Sequence, residues 1–341
     1  MNIFAIETSC DETSAALVSS GRDVKSMVIS SQIAIHAKFF GVVPELASRA
    51  HIKNINPVIV AVLKEAGVSF ENFSREVDAI AFTSGPGLAG ALLVGAIAAK
   101  TLSSVYSKPL IPVNHLEGHL YSPLIENKRV KPPFLGVIIS GGHTELVAVQ
   151  DFGKYKILGA TRDDAAGEAF DKAAKMLGLA YPGGPVIDKR ASKGNPEAVH
   201  FTRPYLKGSW DFSFSGIKTA LLNYLKQNPV KNEKHLNDIC ASFRAAVAET
   251  LCFKSFEAAK TFGFKRIVMG GGVSANSLVR DMFIKAGKKN KIEVFIPPLK
   301  YCGDNAAMIG CAAYFKQRAV GLKYSPAQLK PSPSLKLENW K

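Results

Sequence analysis

The sequence is poor in cysteine, and the few cysteines it has form no recognisable framework. There are five in 341 residues, an odd number with no Cys-x-x-Cys pair among them. Disulfide scaffolds normally carry an even number of cysteines, so this composition argues against one. We expect reduced thiols that behave as small core residues.

Long hydrophobic runs are also missing. The longest, residues 88–99, is too short and too rich in glycine and alanine to span a bilayer. The N-terminal apolar run has no basic flank and is interrupted at Glu7. These features predict a cytoplasmic protein without a membrane partner.

Acidic residues are scarce relative to basic ones, which leaves a formal net charge of +15. An excess of lysine and arginine raises the affinity for polyanions, because phosphate contacts release counterions. The charge alone would also fit an anionic membrane or simple solubility, but the basic residues form no amphipathic helix of the membrane-binding kind. Nucleic acid is therefore the favoured partner.

A phosphate loop of the Gly-x4-Gly-Lys-Ser/Thr type is absent. Residues 269–276 (MGGGVSAN) lie between a predicted strand and a predicted helix, a common position for a nucleotide, but they lack the Gly-x-Gly-x-x-Gly spacing. They could equally be a tight turn. The glycines in residues 84–87 precede a helix of small residues and are interpreted as packing positions.

The chain repeats a strand–turn–strand pattern. Residues 2–6 and 14–18 flank a first polar turn, and residues 134–139 and 145–149 flank a second. Other apolar strands alternate with helical patterns, which is typical of α/β proteins with helix-covered sheets. We predict an α/β fold with two duplicated units.

The two predicted turns differ in chemistry. Residues 140–144 (SGGHT) have small side chains, so their backbone N–H groups could approach a phosphate closely. The first turn displays Glu7, Asp11 and Glu12, acids that would repel phosphate unless a cation or a proton transfer requires them. Each turn could also be an ordinary hairpin.

Two histidines four residues apart, His115 and His119, lie in the stretch NHLEGHL. Successive helix residues are about 100° apart, so side chains at i and i+4 share a face and can bind one metal ion. A catalytic site needs a third protein ligand from elsewhere, and the pair alone could be two surface histidines. Zincins place a glutamate directly after the first histidine, whereas Glu117 comes one residue later and faces away, which disfavours such a metalloprotease.

Several longer motifs together resemble the TsaD family, formerly called the glycoprotease or O-sialoglycoprotein endopeptidase family. The resemblance runs nearly from end to end, and the first motif is similar to that of the bacterial branch. The motifs are IETSCDET (6–13), VPELASRAH (43–51), NHLEGHL (114–120), SGGHT (140–144), YPGGP (181–185), FSFSG (212–216) and GGGVSAN (270–276).

The resemblance implies the two-lobed ATPase fold of actin, hexokinase and sugar kinases. On this basis we expect an N-terminal lobe over residues 1–113, a C-terminal lobe over residues 114–322 and a proline-containing tail over residues 323–341. The metal and the nucleotide are expected in the cleft between the lobes. The tail cannot form a regular helix across its prolines, so we expect it to wrap around the body of the protein or a partner.

The resemblance also implies the site residues. Asp304 is similar to the family's metal-binding aspartate and would complete a ligand set with His115 and His119. The ion implied is Fe²⁺, with Zn²⁺ as the alternative. The implied substrate-binding positions are Ile138, Ile139, Ser140, Gly141 and Gly142 for the phosphate, and Asp171, Gly184, Asp188 and Asn276 for the adenosine portion. Without the resemblance, Asp304 would be predicted as the N-cap of a helix over residues 305–317.

The activity implied by the family is the transfer of a threonylcarbamoyl group from threonylcarbamoyl-AMP to the exocyclic amine of the adenosine 3′ to the anticodon, in tRNAs that read codons beginning with adenosine. The implied partners are tRNA, threonylcarbamoyl-AMP or ATP, and TsaB-like and TsaE-like helper proteins. Asp11 or Glu12 could take the proton from the amine or order the donor. Two alternatives stay open: a metalloendopeptidase, and a non-catalytic nucleotide-binding scaffold with the same fold.

Overall fold

The computed structural model describes residues 1–203, 206, 208–321 and 329–340. In these residues the chain forms ten strands and eleven α-helices. The strands are β1 (Asn2–Glu7), β2 (Glu12–Ser19), β3 (Asp23–Ser31), β4 (Ala79–Gly85), β5 (Leu110–Asn114), β6 (Phe134–Ile139), β7 (Thr144–Asp151), β8 (Lys154–Ala160), β9 (Arg266–Gly270) and β10 (Glu293–Phe295). The helices are α1 (Ile33–His36), α2 (Pro44–Glu65), α3 (Phe73–Glu76), α4 (Ala89–Tyr106), α5 (His115–Tyr121), α6 (Ala166–Met176), α7 (Gly183–Ala191), α8 (Ser215–Gln227), α9 (Glu233–Thr261), α10 (Ser277–Asn290) and α11 (Ala306–Val320).

The strands form two five-stranded sheets with the same topology. The first has the order β3-β2-β1-β4-β5, and the second, read from its other edge, has the order β8-β7-β6-β9-β10. In the first sheet β1 pairs antiparallel with β2 and parallel with β4, which continues in parallel to β5. In the second sheet β6 pairs antiparallel with β7 and parallel with β9, and β9 pairs in parallel with β10. The predicted α/β class and the predicted duplication are confirmed.

The described chain divides into two compact units. The first contains Met1–Pro132, Gln150–Tyr155 and Asp304–Lys341, and the second contains Pro133–Val149 and Lys156–Gly303. This division differs from the expected lobe boundaries, which placed α5 and α11 in the C-terminal lobe. Both helices pack with the first sheet, because α5 begins at the residue after β5 and α11 lies against β1 and β2.

Helices cover both faces of the first sheet. Side chains alternate across a strand, so Phe4 and Ile6 of β1 join the core formed with α2 and α4. Ala5 lies on the other face, next to α11, where a Cβ added at Gly310 would lie 2.7 Å from Val18 Cγ2. Gly310 therefore lets α11 approach the sheet closely, and Ala306 N at the start of α11 donates to Ser14 Oγ of β2 at 3.0 Å.

Helix α4 has the length and composition of a membrane span, with 18 residues and a mean hydropathy of 1.4. Core helices of other proteins have the same properties. Its buried positions include Ala91, Leu92, Ala96 and Ala99, and the helix packs against α2 and β4. We interpret α4 as a core helix of the first unit.

The core of the second unit is organised around the long helix α9. Asn232 caps its start by accepting a hydrogen bond from His235 N at 2.9 Å. Ile239, Phe243 and Val247 recur every four residues along one buried face, as expected for a core helix. Packing of α9 against α7 and α10 fixes the start of both helices, where several predicted substrate-binding residues lie.

Candidate metal centre

The NHLEGHL stretch forms the end of β5 and the whole of α5. Asn114 caps the helix, because its Oδ1 accepts from Leu116 N at 2.8 Å and its own N donates to Glu117 Oε2 at 3.4 Å. This capping box fixes the first turn of a helix of only seven residues. His115 and His119 consequently lie one turn apart, with their ring centroids 4.6 Å from each other.

Asp304, at the start of the last segment of the first unit, lies beside both rings. Its Oδ1 is 3.6 Å from His115 Nε2 and 3.3 Å from His119 Nε2. One candidate ligand atom from each residue lies within 4.8 Å of the others. Ligands that bind one metal ion at about 2.0 to 2.2 Å are separated by roughly 3 to 3.5 Å, and the two distances from Asp304 to the imidazoles are close to this range. The group could therefore hold a metal ion.

The N-cap of α11 is Asn305 and not Asp304. Asn305 Oδ1 accepts from Met308 N at 3.0 Å. The prediction made without the family resemblance, that Asp304 caps this helix, is therefore wrong. With the cap supplied by its neighbour, the Asp304 carboxylate is directed to the histidines.

Glu7 orients His115 from the opposite side of the ring. Its Oε2 lies 3.0 Å from His115 Nδ1 and accepts from Thr83 Oγ1 at 2.6 Å, while its Oε1 accepts from Ser9 N. Burial raises the pKa of Glu7, but the charge and hydrogen bond of His115 outweigh this effect and lower the pKa. Burial lowers the pKa of His115, but the charges of Asp304 and Glu7 outweigh this effect and raise the pKa to about 9. With Nδ1–H held by Glu7, a metal ion would displace the second proton from Nε2, the atom that faces Asp304.

His119 has the environment of a neutral ligand. Its side chain is fully buried, and Nδ1 has no hydrogen-bond partner in the part of the chain that the structure describes. Burial, the largest effect, lowers the pKa of the ring and favours the uncharged form that binds metals. A buried polar atom without a partner is unfavourable, so the residues present fit a site completed by a bound ion.

Carboxylates are crowded around this group. Burial raises the pKa of Glu12, and the nearby charges of Asp11 and Asp304 raise it further, to about 10. Glu7 adds a fourth acid to the same region through its bond with His115. A cation would relieve this concentration of negative charge. Such a cation is one of the two reasons that the sequence suggests for an acidic first turn.

The predicted phosphate-binding residues lie at the turn between β6 and β7, in the second unit. The side chains of Ile138 and Ile139 are fully buried, so only their backbone atoms can reach a ligand. Ser140 Oγ accepts from His143 N at 3.1 Å and closes the turn. A Cβ added at either glycine of the turn would meet no atom within 4 Å, so the turn is open on that side.

Asp171 binds the first residue of α7, which precedes Gly184. Asp171 Oδ1 accepts from Gly183 N at 2.7 Å. A Cβ added at Gly183 would lie 2.8 Å from Asp171 Cα, whereas one added at Gly184 would meet nothing within 4 Å. Gly183 is therefore required by packing, and Gly184 leaves open space that a ligand could use.

Asp188 and Asn276 each accept hydrogen bonds from the first turn of α10. Asp188 accepts from Ser277 N at 3.1 Å and from Arg244 Nη1 at 2.7 Å. Asn276 caps α10 through its Oδ1, which accepts from Val279 N at 3.2 Å. Its Nδ2 is buried without a hydrogen-bond partner among the described residues, so it could donate to a ligand.

The chain matches the family model described as TsaD, tRNA N6-adenosine threonylcarbamoyltransferase, over residues 23–311. The chain belongs to the TsaD family. A tRNA N6-adenosine threonylcarbamoyltransferase of Endomicrobium trichonymphae is 77% identical over 341 residues and covers 100% of both chains. One of Clostridioides difficile (strain 630) is 50% identical over 335 residues, which are 98% of this chain and 97% of the relative.

Solved structures at 14% identity share the fold of this TsaD-family chain. HypF of T. kodakarensis superposes with a TM-score of 0.61 over 93% of this chain and 48% of HypF. Component A of the (R)-2-hydroxyglutaryl-CoA dehydratase of Acidaminococcus fermentans gives a TM-score of 0.54 over 93% of this chain and 99% of that protein. These likenesses establish the fold alone. The expected α/β fold with duplicated sheet-and-helix units is confirmed.

Glu117 does not supply the base of a zincin-type peptidase. The side chain is 2% exposed. Its Oε1 accepts from Trp340 Nε1, and its Oε2 accepts from Asn114 N. Both oxygens are therefore engaged in capping α5 and in holding the C-terminal segment, as the helical spacing predicts.

Sequence reasoning missed two residues that hold the centre in place. Glu7 was expected in the acidic turn but not as the partner of His115, 108 residues later in the chain. His51 of α2 holds the same turn, because its Nε2 donates to Cys10 O at 2.9 Å and its Nδ1 accepts from Thr13 Oγ1 at 2.8 Å. The available signal was a histidine among the apolar positions of an amphipathic helix.

Proposed function

We propose that the protein transfers the threonylcarbamoyl group from threonylcarbamoyl-AMP to the exocyclic amine of the adenosine 3′ to the anticodon, in tRNAs that read codons beginning with adenosine. The observation that carries the proposal is the His115–His119–Asp304 group, which could hold a metal ion. It occurs in a chain 77% identical over its full length to a relative named for this reaction. The activity belongs in the cytoplasm, where tRNA is available.

His115 Nε2, His119 Nε2 and an Asp304 oxygen would hold one divalent ion. Fe²⁺ is favoured by the family and Zn²⁺ is the alternative, since imidazole and carboxylate ligands suit both. When bound, the ion would supply Lewis-acid polarisation of the donor's phosphate or carbamoyl oxygen.

The acceptor amine is a poor nucleophile, because its lone pair is delocalised into the purine ring. As the new C–N bond forms, the mixed anhydride C–O bond breaks, AMP leaves with the bonding electrons, and the amine loses a proton. We assign Asp11 and Glu12 to this region of the reaction, either as acceptors of that proton or as groups that order the donor. For Glu12 to accept the proton, a bound cation would have to lower its raised pKa. Both lie in the turn that His51 holds through Cys10 and Thr13.

Residues of the second unit would bind the donor nucleotide. The open glycine turn offers backbone N–H groups to the phosphate, and carboxylates accept hydrogen bonds from ribose hydroxyls. The residues assigned are Ile138, Ile139, Ser140, Gly141 and Gly142 for the phosphate, and Asp171, Gly184, Asp188 and Asn276 for the adenosine. We also propose TsaB-like and TsaE-like helper proteins as partners, with ATP as a further nucleotide ligand.

The test is label transfer from threonine and bicarbonate into tRNA, with ATP, the synthetase that makes the donor, and the helper proteins supplied. The metal content of the wild-type protein is verified first. His119→Ala is then expected to lower transfer by at least about 100-fold relative to the wild type, because one of three ligands is lost. His200→Ala is the matched control, since this histidine is exposed, and it should retain wild-type transfer.

Three results would contradict the proposal. Transfer by His119→Ala at the wild-type rate would remove the metal group from the reaction. Metal-dependent peptide cleavage by the wild type would favour the endopeptidase. Nucleotide binding without any label transfer by the wild-type complex would favour the non-catalytic scaffold.

A further inference from the structure

The residue between the two histidines of α5 is a buried acid. Glu117 is 2% exposed, and burial raises the pKa of its carboxyl group. A buried carboxyl group is unfavourable unless hydrogen bonds compensate for the lost hydration. One of its bonds is local, from Asn114 N, and at 3.4 Å it is long. The side chains of Lys316 and Tyr155 also interact with this carboxyl group, and a further partner comes from the far end of the chain.

That partner belongs to the C-terminal strap, which we define as residues 329–340. Trp340 Nε1 donates to Glu117 Oε1. The strap also engages the other half of the capping box, because Lys336 O accepts from Asn114 Nδ2 at 2.9 Å. Both residues that fix the start of α5 are therefore tied to a segment more than 200 residues away in the sequence.

The strap is itself held firmly to the first unit. Trp340 N donates to Gly153 O at 2.9 Å, and Tyr155 N donates to Asn339 Oδ1 at 2.6 Å. The Trp340 ring lies against Gly153, where an added Cβ would come within 2.2 Å of it. Its centroid is 6.0 Å from that of Tyr121, the last residue of α5. Trp340 therefore contacts both the middle and the end of the metal-ligand helix.

We propose that Trp340 is a positioning residue for the metal centre. Its indole N–H fixes Glu117, and its ring packs against Tyr121, so together these contacts set the rotation of α5 about its axis. That rotation determines whether the Nε2 atoms of His115 and His119 meet at one point beside Asp304. The inference rests on the proposed metal function and assigns to the strap a role in metal affinity.

Trp340→Phe is the decisive variant, because it removes the indole N–H and keeps an aromatic ring. The affinity for Zn²⁺ alone, measured by competition with a chelator, is expected to fall about threefold to tenfold, less than for loss of a direct partner of a ligand. The visible spectrum of the Co²⁺-loaded protein should also change, since it reports ligand geometry. Trp210→Phe is the matched control and should change neither measurement.

A double-mutant cycle tests whether Trp340 acts through Glu117. Glu117→Gln alone should also weaken Zn²⁺ binding, and the effects of Glu117→Gln and Trp340→Phe should not add in the double variant. Glu117→Gln also keeps the inference testable if Trp340→Phe does not fold. Additive losses of Zn²⁺ affinity in the double variant would overturn the proposal that Trp340 acts through Glu117.

The outcomes separate this inference from the proposed function. Wild-type affinity and an unchanged Co²⁺ spectrum in Trp340→Phe would overturn the role of the strap and leave the metal centre standing. Failure of the wild type to bind Zn²⁺, Fe²⁺ or Co²⁺ would overturn the metal centre itself.

Discussion

Glu7 determines which nitrogen of His115 is available to a metal. It accepts from Nδ1 at 3.0 Å and is held in turn by Thr83 and Ser9. Acceptors of this kind fix the tautomer and the ring orientation of a metal-binding histidine and raise its basicity. A single buried carboxylate thus orients a candidate metal ligand without being one.

We predict that Glu7→Gln weakens Zn²⁺ binding by about 10- to 100-fold, the range for loss of such a partner. The amide has nearly the same shape, so packing is retained while the charged acceptor is lost. Zn²⁺ affinity should be measured by chelator competition, with Glu145→Gln as control, because Glu145 is a half-buried glutamate of the second unit. Equal affinities of Glu7→Gln and the wild type would show that Glu7 does not support the site.

At this scale the sequence predicts part of the centre. The spacing of His115 and His119 indicates a shared ligand position, because helix geometry is local. Asp304 and Glu7 come from opposite ends of the chain, and no local pattern pairs them with the histidines. Asp304 was assigned only through the family resemblance, and the local pattern predicted a helix cap instead.

At the scale of secondary-structure elements, Asp164 links α6 to α8. Its carboxylate accepts from Lys172 Nζ and Lys218 Nζ, each at 2.5 Å, and its side chain is 12% exposed. Burial raises the pKa of Asp164, but the hydrogen bonds and charges of the two lysines outweigh it, so the pKa lies below its ordinary value.

We predict that Asp164→Asn lowers the free energy of unfolding at pH 7 by about 1 to 2 kcal/mol. The expected loss is this small because solvent screens the interaction with the partly exposed Lys172. Because the pKa of Asp164 is lower in the folded protein than in the unfolded one, ionised Asp164 stabilises the fold at pH values above its unfolded-state pKa of about 3.9. This contribution is lost as the pH falls through the folded-state pKa. Urea unfolding should therefore show a constant difference from the wild type between about pH 7 and 5 and a smaller one below about pH 4.

Asp281→Asn, on the exposed side of α10, is the control and should match the wild type throughout this range. A difference that grows as the pH falls would contradict the sign of the Asp164 contribution. So would equal stability of Asp164→Asn and the wild type at pH 7.

The predicted strands carry an apolar signal, whereas the edge strand that follows each hairpin does not. The predicted hairpins correspond to β1–β2 and β6–β7, whose strands are mostly buried. The strands β3 and β8 were not predicted, because most of their residues are partly exposed and give little apolar signal. A register shift opposite residues 17–18 of β2 further breaks the alternation in β3.

The sequence also predicts the structure of the C-terminal tail only in part. Its prolines exclude a regular helix, and the described residues 329–340 do lie along the first unit, as expected of a segment that wraps the body. Their partners are backbone and buried polar groups of distant elements, which no periodicity encodes. The first part of the tail, with Pro326, lies outside the described residues.

At the scale of the whole molecule, the net charge of +15 should govern the interaction with tRNA. Each phosphate contact contributes a slope of about −0.7 to −0.9 in a plot of log K against log salt concentration. We predict that the Kd for tRNA rises at least about tenfold between 50 and 200 mM salt, measured by fluorescence anisotropy.

An uncharged control separates this effect from general salt sensitivity. The affinity for adenosine, which carries no phosphate, should change little over the same range. A Kd for tRNA that is insensitive to salt would contradict an interaction dominated by the basic surface.

The central claim is that three side chains distant in sequence bind one catalytic ion. The most direct test is an anomalous-difference map at the Fe or Zn absorption edge, from crystals of metal-loaded protein. The account predicts one strong peak about 2.0 to 2.2 Å from His115 Nε2, His119 Nε2 and an Asp304 oxygen. A peak elsewhere in metal-loaded crystals, with Asp304 turned away from the histidines, would contradict it.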